Sequence, residues 1–329
     1  MNSTIRALRR GLCGNLLPDS ETCPRPAVIC VLNPTLMREI VPSRPSSFED
    51  SGFELSMDRI APNLVEQDGG VWAARGEATL SYPEEAHNLC FDIEAGSYWF
   101  VHRNNVIIKT LCRFPPSGTI FDVGGGNGFV TSAMRDAGFP AVLVEPGRDG
   151  VRNAVKRGLR PVVNATIDQA GFVESSFPAA GLFDVVEHIQ DDAAFLMRVR
   201  ELLRPGGRLY LTVPALSWLW SAEDSRAGHF RRYSLESITG VLRACGFTVE
   251  YATYFFGFLV WPLFLRRSIP SRLRLRGETG DDYVDEHAPA SPRVQRLLDR
   301  WSQAELARLD RDASIRRGTS CLVVCRSIR

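Results

Sequence analysis

The chain has 329 residues, 44% of them hydrophobic and 23% charged, which fits a globular protein with a large core. Its 39 basic residues stand against 38 acidic ones, and a net charge of +1 gives no ground for a nucleic-acid partner. No stretch reaches the roughly 18 apolar residues that a bilayer span needs, and "AVICVL" (27–32) is too short for the core of a signal peptide.

The first 18 residues carry Arg6, Arg9 and Arg10 without an acid, as organellar transit peptides do. An arginine-rich tail explains them equally well, so organellar targeting is not the expectation. Cys13, Cys23, Cys30, Cys90, Cys112, Cys245, Cys321 and Cys325 form no CxxC pair, which argues against a zinc ribbon. A reducing cytoplasm is the expected compartment. Pro18, Pro24, Pro26, Pro34, Pro42 and Pro45 break any long element, and residues 1–94 read as a partly irregular N-terminal extension.

From residue 95 the pattern becomes regular. "SYWFVHRNNVIIKTLCRF" (97–114) reads as a helix with Trp99, Val106, Ile107 and Leu111 on its apolar face. Strands follow at 119–123, 141–145, 160–164, 179–183, 208–213 and 247–253. Helices lie between them at 128–138, 148–158, 191–203 and 234–245, with glycine stops at Gly138, Gly158 and Gly246. Strands alternating with helices predict an α/β fold with a doubly wound, mostly parallel sheet. "GTSCLVVCRS" (318–327) is a strand with no helix directly before it. It predicts an antiparallel last strand returning from an insertion, giving units 95–253, 254–317 and 318–329.

"IFDVGGGNGFV" (120–130) sets alternate glycines between the first strand and its helix, an elbow fit for an anion or a nucleotide. The dinucleotide fingerprint needs a small third residue at position 129, where Phe129 stands. The spacing D-x-G-x-G-x-G from Asp122 instead resembles motif I of the class I S-adenosylmethionine-dependent methyltransferases. "GLFDVVEHIQDD" (181–192) and "LRPGGRLYLTVP" (203–214) extend the resemblance to the branch that contains the quinone-biosynthesis O-methyltransferases. "SYWFVHRN" and "WLWSAEDSRAGHFRRYS" look like bacterial members of it. The resemblance covers about 95–255 and the last strand, and implies a seven-stranded Rossmann-like sheet. Gly125 stands where the family commonly has Cys, a change expected to loosen the turn slightly.

The resemblance implies that Asp122, Gly124, Gly126 and Gly128 hold S-adenosylmethionine, with glycines letting the backbone approach it. Glu145, ending the second strand, is expected to accept hydrogen bonds from the ribose hydroxyls. Asp168 is the candidate at the adenine, and Phe183 is placed with the cofactor-binding residues. If the segment after Asp184 is helical, Asp184, Glu187 and His188 share a face. They then offer either a divalent cation site, such as Mg, or acid–base groups; the alternative is that Asp184 caps the helix. His229 is the second candidate base, and Arg231, Arg232 and Tyr233 beside it are candidates for gripping the acceptor. Ser234 also looks like an N-cap, which would make that segment structural.

"YFFGFLVWPLFL" (254–265) and the five arginines of "RRSIPSRLRLR" (266–276) fit peripheral contact with an anionic membrane, a lid for an apolar acceptor, or core packing. "VQRLLDRWSQAELARLDR" (294–311) is amphipathic through Leu297, Leu298, Trp301 and Leu306 and is expected to pack against it. The expected function is methyl transfer to a small-molecule or lipid-linked acceptor, with O-methylation preferred. A non-catalytic methyltransferase-like scaffold and a dinucleotide-dependent oxidoreductase are the rivals.

Overall fold

The computed structural model describes residues 56–67, 69–75, 84–273, 291–311 and 314–328. The proline-rich start, Cys13, Cys23, Cys30 and the arginines at 274 and 276 lie outside these residues. Among the described residues, nine strands form one sheet in the order β1-β2-β5-β4-β3-β6-β7-β9-β8. They are β1 Leu64–Gln67, β2 Val71–Ala74, β3 Ile120–Val123, β4 Ala141–Val144, β5 Val162–Asn164, β6 Phe177–Phe183, β7 Leu203–Pro214, β8 Phe247–Phe255 and β9 Ser320–Ser327. Pairing from β2 through β5, β4, β3, β6 and β7 is parallel, and β9 runs antiparallel between β7 and β8.

The seven strands β3 to β9 are those read from the sequence. The sheet is nine-stranded, not seven-stranded, because a hairpin of the N-terminal extension adds β1 and β2 at the β5 edge. Its strands have four residues each, too short for alternation to stand out. Every residue of β3, β4 and β6 is buried, as expected of parallel strands covered on both faces.

Alternation along β3 fixes the layers. Phe121 and Val123 join the larger cluster, in which Phe121 stacks on Phe177 at 3.9 Å. Ile120 faces the other layer, with Ile107, Leu111, Val130 and Met134. That second layer comes from α3 (Tyr98–Arg113) and α4 (Phe129–Asp136); α1 (Met57–Ile60) and α2 (Glu84–Ile93) precede them. Further along lie α5 (Arg148–Lys156), α6 (Ile167–Ala170), α7 (Asp192–Leu202), α8 (Ala222–Arg226) and α9 (Leu235–Ala244). Gly138, Gly158 and Gly246 have φ of 88°, 83° and 85° at the helix ends where the sequence placed stops.

The insertion starts after β8. A short 3₁₀ turn, α10 (Val260–Leu263), a π-helical turn (Phe264–Ser268) and α11 (Ile269–Arg272) make one winding run. Then α12 (Pro292–Asp310) returns over α3. Buried Glu305 of α12 bonds His102 at 2.8 Å and accepts the amides of Phe256 and Gly257, each at 2.8 Å. Leu306 and Leu309 pack with Phe255 and Phe256. The expected contact between this helix and the start of the insertion is therefore made through a buried carboxylate as well as leucines. No helix among the described residues is long and apolar enough to cross a membrane.

Candidate active site

Strand order reverses beside β3, so the crevice at the carboxyl ends of β3 and β6 is where such a sheet binds ligands. β3 leads into the glycine turn, where Gly124, Gly126 and Gly128 have φ of 73°, 56° and 71°. These left-handed values favour glycine. Asp122 shares the Ile120 face and lies under α4, where the Thr131 hydroxyl donates to it at 2.5 Å. It is fully buried, its Oδ1 has no partner, and burial lifts its carboxyl to about 6. Gly125 does not loosen the turn as expected. A Cβ there would lie 2.5 Å from Leu143 and 2.6 Å from the Asp122 carboxylate, so the missing side chain lets the turn close on Asp122.

Glu145 follows β4 and is 4% exposed. Its carboxylate accepts the amide of Gly126 at 2.8 Å and that of Gly147 at 2.6 Å. The turn and the second strand are thereby locked together. His87 of α2 lies over both, 3.9 Å from Glu145, and Asn127 donates to the His87 carbonyl at 2.8 Å. Arg157 pairs with Glu94, which also accepts from Asn127. Sequence reasoning missed this helix, although "PEE" (83–85) is a helix-start signal.

Two further candidates stand at or just after the ends of β6 and β5. The Asp168 carboxylate is 78% exposed and pairs with Arg198 at 3.4 Å, so its surroundings give it no distinguishing role at an adenine. Phe183 packs into the apolar layer under α3 and α4, its ring filling the place of a Cβ on Gly181. Alternation along β6 sets it in the layer that Ile120 faces.

At the end of β6 the helical arrangement of Asp184, Glu187 and His188 does not form. Only Val186–His188 make a 3₁₀ turn, and Asp184 has φ of 59°. Its carboxylate receives Arg103 at 2.6 Å and the Thr212 hydroxyl at 3.1 Å. Nor does Asp184 cap the next helix; Asp191 does, accepting from Ala194. His188 meets His229 instead, with ring centroids 4.7 Å apart. Burial, and then His229, pull the His188 ring down to about 4, leaving it neutral at pH 7. Burial and the neighbouring Asp184 push the Glu187 carboxyl well above its usual range.

His229 is held from behind. Its Nδ1 lies 2.9 Å from Oδ1 of Asp224, a residue 1% exposed. Burial raises the Asp224 carboxyl, but the bond from His229 and the Arg232 guanidinium outweigh it and hold it at about 2. A carboxylate only accepts, so Nδ1 carries the proton and the Nε2 of a neutral ring is the acceptor. Arg232 donates to both Asp224 oxygens, at 2.7 and 3.0 Å. Arg231 pairs with Asp192 at 2.7 Å, and the Tyr233 hydroxyl donates to the same carboxylate at 2.7 Å. The polar ends of Arg231, Arg232 and Tyr233 thus have internal partners in place of an acceptor. Ser234 caps α9, accepting from Ser237 at 3.0 Å. The glycine turn and this cluster adjoin. A Cβ on Gly124 would lie 2.9 Å from Val185, and the Glu187 carbonyl accepts the Phe230 amide at 2.8 Å.

Residues 100–252, which hold all these groups except His87 and Glu94, match the family model described as "Methyltransferase domain". Over these residues the chain is similar to methyltransferase domains. It is 23% identical over 157 residues to a Mycolicibacterium smegmatis protein named "Probable S-adenosylmethionine-dependent methyltransferase", covering 47% of this chain and 61% of that protein. It is 28% identical over 99 residues to the ubiquinone biosynthesis O-methyltransferase of Xanthomonas oryzae, covering 28% and 41%. The matches thus span about three-fifths or less of these relatives. A solved S-adenosylmethionine-dependent methyltransferase of Archaeoglobus fulgidus is similar at 13% identity and a TM-score of 0.47, over 74% of this chain and 99% of that one.

Residues 100–252 offer a metal a different set of ligands from the one expected. Asp184 is taken by Arg103 and Thr212. Among the described residues, the ligand atoms that lie within 4.8 Å of one another are those of Glu187, His188 and His229.

Proposed function

We propose that the chain is an S-adenosylmethionine-dependent methyltransferase whose acceptor is a small or lipid-linked molecule, with a hydroxyl oxygen as the nucleophile. The observation that carries this reading is the Asp224–His229 pair standing beside the glycine turn on one edge of the sheet. The similarity to O-methyltransferases of ubiquinone biosynthesis supports oxygen as the acceptor atom.

An adenosine-bearing cofactor fits the turn on two grounds. Three glycines in left-handed conformations close the backbone onto β3, and Asp122 keeps one buried oxygen unpartnered. Glu145, at the mouth of the turn, is the residue for the ribose hydroxyls. Asp122 holds the turn through Thr131, and His87 closes the pocket from α2.

When bound, the cofactor supplies a methyl group on a sulfonium, so the protein contributes mainly positioning. His229 would take the acceptor hydroxyl's proton on Nε2 as the methyl group passes to that oxygen. Asp224 fixes the tautomer this requires and stabilises the imidazolium that results. Arg232 holds Asp224 ionised. Neutral His188 and buried Glu187 form the wall beside the reacting proton.

A second reading has Glu187, His188 and His229 hold a divalent cation, favoured by the buried, unpartnered Oε2 of Glu187. Isothermal titration with S-adenosylhomocysteine tests the main proposal. Micromolar binding supports it, and no binding by the folded protein removes it. Loss of turnover on chelation would favour the second reading over a free histidine base.

A further inference from the structure

The winding run from Gly257 to Arg272 presents two chemistries. Its inner side is pinned to the chain beside the candidate active site. The Ser268 hydroxyl donates to the Leu219 carbonyl at 3.0 Å, the Ala222 amide donates to Ser271 at 3.0 Å, and Arg272 donates to the Trp218 carbonyl at 2.6 Å. Outward, Trp261 is 64% exposed, Leu265 60% and Leu273 61%. Trp218 joins them, its ring 6.4 Å from Trp261 and 5.1 Å from Phe264. One exposed large apolar side chain needs no explanation, but Trp218, Trp261 and Phe264 in ring contact, with exposed Leu265 next in sequence, do.

Among the described residues of the run, 257–273, the charged side chains are Arg266, Arg267 and Arg272, with no Asp or Glu. Arg266 and Arg272 are exposed, the latter with its guanidinium 5.8 Å from the Phe264 ring centre. In the adjoining α8, Asp224 is buried and Glu223 half-buried. We propose that this face docks the protein on an anionic lipid surface. Tryptophan and leucine enter the headgroup boundary, where an indole meets both water and apolar chains, and arginines meet the lipid phosphates. A uniformly anionic bilayer gains from each of these arginines, whereas a protein partner of mixed charge gains only where an acid meets one.

The pinned segment leads directly to Asp224, which holds His229. On the methyltransferase reading, docking therefore sets the acceptor side of the site at the membrane, where a lipid-linked substrate resides. The docking itself does not depend on that reading.

The test uses the full chain, without cofactor, and sedimentation with phosphatidylcholine vesicles that contain or lack phosphatidylglycerol. Retention on the anionic vesicles, weakened by salt, is expected. Trp261→Ser with Leu265→Ser should abolish it, and Arg266→Gln should lower partitioning about 5-fold. These side chains are exposed, so the variants should fold, and titration with S-adenosylhomocysteine checks that they do. Absence of wild-type retention, or retention that Trp261→Ser with Leu265→Ser leaves unchanged, overturns the proposal. So does concentration-dependent dimerisation abolished by the same pair without vesicle binding, which would assign the face to a second copy. Failure to bind S-adenosylhomocysteine by a chain that still binds vesicles would sink the function proposal alone.

Discussion

Replacing Glu145 is the sharpest probe of the cofactor pocket, because one carboxylate has two separable jobs. In the structure it accepts the amides of Gly126 and Gly147 at 2.8 and 2.6 Å while 4% exposed. Glu145→Ala leaves two nearly buried N–H donors without that acceptor, each costing about 1–3 kcal/mol unless water enters. It also removes the proposed ribose acceptor, where a hydrogen bond to a charged group contributes about 1.5–3 kcal/mol. Losing one such bond weakens S-adenosylhomocysteine binding by roughly 10-fold and losing two by roughly 100-fold or more. Glu145→Gln keeps one carbonyl oxygen and should fall between the two. Urea unfolding measures the first loss and isothermal titration the second, so a collapsed turn is distinguishable from a missing ligand contact. If folded Glu145→Ala binds S-adenosylhomocysteine within about threefold of wild type, the pocket assignment is wrong, because these energies leave no room for so small a change.

Four further outcomes follow from the same geometry. His229→Ala should lower turnover by about 10²–10⁴-fold, while S-adenosylhomocysteine titration stays unchanged. Asp224→Ala should also cost about 3–5 kcal/mol in urea unfolding, because it strands the buried Arg232 guanidinium. Burial lifts the Asp122 carboxyl from its ordinary 3.8 to about 6, so the native state binds the extra proton between those values and this group's contribution to stability falls as pH rises through them, by about 3 kcal/mol. Asp122→Asn should remove that slope from unfolding curves between pH 4 and 7; an unchanged wild-type-minus-variant difference across that range would contradict it. Gly125→Ala should cost about 1–3 kcal/mol by overpacking, read as a lower denaturation midpoint together with weaker S-adenosylhomocysteine binding.

The central sheet was legible because its signals are local. The apolar runs of β3, β4 and β6 are short, continuous and followed by glycine turns or helices, and their predicted ends lie within two residues of the observed ones. The hairpin β1–β2 was not legible, since its strands exist by pairing with β5, a contact no local pattern announces. The site divides in the same way. The glycines and Glu145 could be placed because strand ends fix them. Asp184 and Phe183 could not: the first depends on Arg103, 81 residues earlier, and the second on which face of β6 meets α3. His87 reaches the pocket only because Asn127 and Glu94 tie α2 to the turn, a tertiary arrangement with no motif of its own.

The same distinction explains why the acceptor end is the harder half to read. Asp224, His229, Arg232 and Tyr233 lie within ten residues, and the sequence made Arg231, Arg232 and Tyr233 look like a grip for a charged substrate. The structure instead uses Arg232 to hold Asp224, and Arg231 and Tyr233 to hold Asp192 at the start of α7. A charged group so committed would have to give up a charge-assisted bond before meeting a ligand, at about 1.5–3 kcal/mol per bond. His229 is different: the bond at Nδ1 leaves Nε2 available and fixes the tautomer. The pattern favours an acceptor recognised by shape and by a single proton transfer over one gripped through its own charge. A neutral hydroxyl on an apolar molecule meets that requirement. A panel of phenolic and phosphorylated acceptors would decide it: methylation confined to phosphorylated compounds would mean that Arg231 or Arg232 exchanges its internal partner on binding, contrary to the energies above.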